Sequence, residues 1–110
     1  MKFEIYQSEK NKEYYFRLKA GNGENILGSE GYKAKSGCTN GIESVKKNAA
    51  DEGRFETKEA KNGKWHFNLK ASNGQVIGSS QMYASKSGMQ NGIKSVMKNA
   101  PDASIDDTTA

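Results

Sequence analysis

The chain has very little cysteine: Cys38 stands alone among 110 residues, so no intramolecular disulfide can form. Small secreted domains usually carry several bridges, and the shortage fits a reducing compartment. Histidine is equally scarce, with His66 the sole example. One histidine and one cysteine far apart do not make a metal-ligand spacing. A nucleophilic Cys38 would need a base, and none stands in a matching context. Long apolar runs are missing too. No window approaches the ~20 residues that cross a bilayer. The opening "MKFEIYQSEK" has neither the apolar segment nor the cleavage pattern of a secretory signal. Hydrophobic residues make up 34% of the chain, enough for only a small core. The net charge is +4 with the signs interleaved, which favours solubility and permits weak attraction to nucleic acid without requiring it. These absences lead us to expect a soluble, cytoplasmic protein with no membrane segment, metal or cofactor. They also leave no pair of groups poised for acid–base or covalent chemistry, so an enzyme is not expected.

Against this, one segment occurs twice. "SGCTNGIESVKKNA" at residues 36–49 returns as "SGMQNGIKSVMKNA" at residues 87–100. Sliding the chain by 51 residues lays Phe16 on Phe67, Asn22-Gly23 on Asn73-Gly74 and Tyr32 on Tyr83. About 20 of roughly 34 positions then agree, the mark of a repeat architecture. Upstream, "KFEIYQ" matches "RFETKE" once one residue is dropped from the intervening turn.

Each unit reads as β-β-β-α. "FEIYQ" alternates Phe3 and Ile5 against Glu4 and Tyr6, as a half-buried strand does. "YYFRLKA" sets Tyr14, Phe16, Leu18 and Ala20 on one face. Asn22-Gly23 predicts a type I′ hairpin turn, and "ENILGS" a short third strand. Cys38, Ile42, Val45 and Ala49 then recur at helical spacing, with Ser36 placed to cap. Trp65, Phe67, Leu69 and Ala71 repeat the strand pattern, and Met89, Ile93, Val96 and Ala100 the helical one. Pro101 ends the second helix, and "ASIDDTTA" offers a weak last strand around Ile105.

A unit of ~50 residues is marginal alone. Two can complete one another, which predicts a single domain over residues 1–110 and a monomer whose halves act as an internal dimer. The repeats span about 1–53 and 54–107, with 108–110 frayed. The segment "GRFETKEA" must close the first unit and open the second. The fold class expected is α+β: one antiparallel sheet, two helices on one face, pseudo-two-fold symmetry.

The strand pair, the "NG" turn, a tyrosine ahead of "KSG" and the run "NGI.SV..NA" resemble the YegP-like family of small bacterial proteins. The resemblance extends from Phe3 to about Asp106. It implies a β(3)-α-β unit, with two units sharing one sheet and exchanging their C-terminal strands. The first unit departs from this pattern in lacking a clean closing strand of its own. The family brings no agreed catalytic residues, so none is carried over.

Two groups of residues remain as candidate sites. With the apolar faces turned inward, Tyr6, Tyr15, Arg17, Lys19, Arg54, Lys58, His66, Asn68 and Lys70 point outward from the sheet. Aromatic and basic residues on an open sheet suit single-stranded nucleic acid, although Glu4, Glu13 and Glu56 dilute the field. A solvated sheet face accounts for the same residues. Lys35-Ser36-Gly37 and Lys86-Ser87-Gly88 open the two helices, where free amides suit an anion. The P-loop spacing is absent, and a serine cap explains the same residues. Gly41 and Gly92, in mid-helix, suggest close backbone approach. Cys38 occupies the position of Met89 and is expected to be a buried apolar residue. Asp102, Asp106 and Asp107 lack the glycine and glutamate of a calcium loop. The reading is an interaction module, whose partner is another protein or a nucleic acid.

Overall fold

A computed structural model describes residues 1–110. Seven strands and two helices follow the repeat: β1 (Lys2–Gln7), β2 (Tyr14–Lys19), β3 (Asn25–Gly28) and α1 (Lys35–Asn48), then β4 (Phe55–Glu59), β5 (Trp65–Lys70), β6 (Val76–Ser80) and α2 (Lys86–Asn99), and finally β7 (Ser104–Asp107). The strands form one sheet in the order β4-β5-β6-β3-β2-β1-β7. Phe3, Ile5, Phe16, Leu18, Phe67 and Leu69 turn to one face, where Cys38, Ile42, Val45, Met89 and Val96 of the helices meet them in a single core. The alternation and the helical spacing seen in the sequence thus both point inward.

The expected hairpin turns form, but not as type I′. Only Gly23 of the first pair takes a positive φ, of 87°, while the Asn22 side chain accepts the Glu24 N–H. Ala20 and Glu24 close a three-residue loop that ends in a left-handed glycine, and Ala71–Gln75 repeats it. The mid-helix glycines have the close contact their position suggested. A Cβ on Gly92 would lie 2.3 Å from Tyr83 Oη and 2.8 Å from its Cζ, and one on Gly41 2.6 Å from Tyr32 Oη. Each tyrosine stacks on the phenylalanine below it, at 6.4 Å for Tyr32–Phe16 and 6.3 Å for Tyr83–Phe67. Gly92→Ala should therefore lower stability by about 1–3 kcal/mol in urea unfolding through overpacking, where an open helix site would gain about 1.

The halves meet in a short ladder, Leu27 opposite Ser80 and Gly28 opposite Ser79. The 51-residue offset makes Gly28 and Ser79 counterparts, so the pseudo-two-fold axis passes between them. Leu27 and Gly78 are counterparts as well, and they touch across this axis. A Cβ on Gly78 would stand 2.8 Å from Leu27 Cδ2 and Cγ. Leu27 is only 1% exposed. One large and one absent side chain fill a space that two leucines could not share.

The sheet departs from the expected antiparallel pattern at its last strand, since β7 runs parallel to β1. The crossing helices explain this. Helix α1 starts over β2 and reaches β5 and β6, so the chain leaves it on the other half. Helix α2 makes the converse crossing, and Ser104 arrives beside Met1, Lys2 and Ala20, where β1 begins. The place next to β2 is already held by β1, so β7 lies outside it and runs the same way. The shared segment "RFETKE" takes only the opening position. It pairs with β5 as β1 pairs with β2, Phe55 opposite Leu69 matching Phe3 opposite Leu18. Nothing lies outside it. Beyond β7 the chain end is hydrogen-bonded: Thr108 donates from its N–H and its hydroxyl to the Ile5 carbonyl, and Thr109 donates to Asp107.

Candidate functional site

The open face brings most of its expected residues together, in two clusters built on counterpart carboxylates. Register places Glu4 opposite Arg17 and Tyr6 opposite Tyr15. Arg17 reaches Glu4 at 2.6 Å, and Lys19 lies 3.5 Å from it. The Arg17 hydrogen bond holds the Glu4 carboxyl below its usual range. In the second half Lys70 and Lys58 stand 2.9 and 3.7 Å from Glu56. Lys70 and Asn68 lower that carboxyl in the same way. Tyr6 and Tyr15 stack on each other with centroids 5.5 Å apart, and Arg17 covers the Tyr6 ring at 4.3 Å. The aromatic and cationic groups that could hold a nucleobase thus already satisfy one another. His66 lies opposite Lys58, its Nδ1 buried without a partner. Arg54 stands apart, ahead of β4, with Asp51 at 3.5 Å.

The helix starts differ from expectation. Both helices begin one residue before the serines thought to cap them. Ala34, at the start of α1, has no side chain that could cap, while Ser85 caps α2 by accepting the Gly88 N–H at 3.0 Å. Ser36 and Ser87 fall inside the first turn. Ser87 lies 3.3 Å from Ser85, oxygen to oxygen. At α1 an anion is already present: the Asp107 carboxylate is ion-paired with Lys35. Hydrogen bonds from Lys35, then from Thr109, draw its pKa from 3.8 to about 2. A carboxyl lowered in the folded state stabilises the fold above its unfolded pKa and loses that contribution as pH falls through the folded value. The docking of β7 should accordingly loosen as pH drops from about 4 to about 2. Faster amide exchange at Thr108 and Thr109, ahead of global unfolding, would report it.

Lys86, the counterpart of Lys35, forms no ion pair and lies 5.5 Å above the Trp65 ring. Near it runs a groove of about 390 Å³ between β4 and α2, lined by Glu52, Phe55, Thr57, Gln90, Ile93 and Lys94. The sequence reading missed this groove. Its traces were mismatches between the repeats: Thr57 stands where Ile5 does, and Lys94 where Glu43 does.

Cys38 is fully buried, and desolvation pushes its thiol up to about 11, as suits an apolar core residue. No three His, Cys, Asp or Glu side chains gather where a metal ion could be held. No helix is long and apolar enough to cross a membrane.

This connectivity defines a class of small two-repeat α+β modules in which each helix carries the chain across to the other half. The chain belongs to the family described as "Domain of unknown function (DUF1508)", which it matches twice, over residues 9–56 and 60–107. It is 58% identical to the UPF0339 protein in the ptx operon 5′ region of Stutzerimonas stutzeri, over 94% of this chain and 92% of that one. It is 50% identical to the UPF0339 protein YegP of Escherichia coli K12, over 97% and 96%. The solution NMR structure of a UPF0339 protein from Shewanella oneidensis has a similar fold, with a TM-score of 0.90 at 53% identity, covering 96% of this chain and 89% of that one. The E. coli yegP solution structure also gives 0.90, at 48% identity, covering 97% and 91%. The YegP-like resemblance read from the repeat motif therefore holds across nearly the whole chain.

Proposed function

We propose that the chain is a non-enzymatic interaction module, a cytoplasmic monomer, that recruits an extended segment of another protein onto the edge of β4. One contrast carries this reading. Phe3 and Ile5 are 0% and 2% exposed beneath β7, whereas their counterparts Phe55 and Thr57 are half-buried and exposed. A bare edge offers main-chain hydrogen bonds, and the groove beside it offers room for alternate side chains. The buried, unreactive thiol and the internally paired carboxylates fit binding better than turnover.

Titrating clarified cell extract into ¹⁵N-labelled protein tests the proposal. Amide shifts centred on β4 and α2 support it, and an unchanged spectrum refutes it. A second reading, single-stranded nucleic acid on the open face, would have to displace Arg17 from the Tyr6 ring and part the Tyr6–Tyr15 stack. That reading requires shifts on β1, β2 and β5 that fade steeply with salt. It fails if single-stranded RNA and DNA produce none at low salt.

A further inference from the structure

We infer that the β4 edge is a strand-shaped vacancy selective for an acidic segment, lying parallel to β4 and carrying two adjacent carboxylates after a branched aliphatic residue. The inference rests on the interaction-module reading and names its partner's chemistry.

The chain itself supplies the template. On the other half, β7 lies parallel to β1 with Ile105 beside Phe3, Asp106 beside Glu4 and Asp107 beside Ile5. Consecutive strand residues point to opposite faces, so the two aspartates separate. Asp106 meets Lys2 at 3.3 Å on the open face, and Asp107 meets Lys35 on the helix face. Both anchoring cations recur at the vacant edge: Arg54 stands where Lys2 does, and Lys86 where Lys35 does. Arg54 is held only by the exposed Asp51, and Lys86 by no carboxylate at all. Lys94 replaces Glu43, so α2 presents a cation to the groove where α1 carries an acid. Glu52 is the one acid lining the groove, at the end that would take the aliphatic residue against Phe55 and Ile93.

Main-chain geometry agrees. Ile5 presents its carbonyl to β7, where Thr108 donates to it. Thr57 holds the same register and turns its peptide groups to solvent. A second copy is a poor occupant. Its matching segment is already tethered on its own β1, and two chains of net charge +4 repel, whereas an acidic segment is attracted.

The experiment titrates the full-length labelled chain with a synthetic peptide, Asp-Ala-Ser-Ile-Asp-Asp-Thr-Thr-Ala, the sequence of residues 102–110. Shifts should fall on residues 55–59 and the first turns of α2, with β1 and β7 unmoved. Replacing the two central aspartates of the peptide by asparagine should weaken binding about tenfold, and so should Lys86→Gln in the protein. Lys98→Gln, at the far end of the same helix, should have no effect. Thr57→Pro should abolish binding, because it deletes an outward N–H without touching the β5 ladder. Four results would overturn the inference: silence at millimolar peptide, shifts confined to β1 and β7, shifts that follow protein concentration without peptide, or equal binding of the asparagine peptide. The last would leave strand addition at β4 standing and remove only its preference for acid.

Discussion

Exchanging Leu27→Gly for Gly78→Leu in one chain should restore much of the stability that each change removes alone. Leu27 fills the centre of the joint between halves, and Gly78 makes room for it. Removing the leucine opens a cavity that costs about 3–5 kcal/mol. Adding a leucine at Gly78 forces its Cβ to within 2.8 Å of Leu27, and overpacking costs about 1–3 kcal/mol. Gly78 has no positive φ, so its backbone accepts a side chain and the penalty comes from crowding alone. In the double variant a single leucine again fills the space, from the other side of the pseudo-two-fold axis. Urea midpoints should show a favourable coupling of about 2 kcal/mol between the sites. Strictly additive losses would mean that the two positions do not share one space.

Ending the chain at Asp102 should produce the second large effect. It removes the ladder on β1, the hydrogen bonds of Thr108 to the Ile5 carbonyl, and the Lys35–Asp107 pair. It also uncovers Phe3 and Ile5, now 0% and 2% exposed. Lost burial and ladder bonds together should cost about 2–4 kcal/mol by urea unfolding. Adding the 102–110 peptide in trans should return part of that loss, since the vacated seat matches it residue for residue. A truncated chain as stable as the parent would show that β7 decorates the sheet without supporting it.

The sequence showed the repeat, the strand faces and the helical stripes because each is a local periodicity. Phe16 and Leu18 point inward because they alternate, and Ile42 and Val45 because they recur on one helical face. The direction of β7 was not legible, since it depends on where a crossing helix delivers the chain. Nor was the capping, because Ser85 and Ser87 offer the same hydroxyl two residues apart and only the helix start decides between them. Most of the expected open-face residues lie together, Arg54 apart, but their mutual neutralisation lies in the register that sets Glu4 against Arg17. The β4 groove was hidden by the similarity of the halves. It arises where β4 has no outer neighbour, and only mismatches such as Thr57 for Ile5 and Lys94 for Glu43 mark it in the sequence.

The pairing of Leu27 with Gly78 also sets what each duplicate can still become. Two copies of the first half, brought together about the same axis, would drive leucine into leucine; two of the second would enclose a hole. Neither duplicate remains able to partner itself. At this joint the two halves are complementary and not interchangeable, as a left hand is to a right.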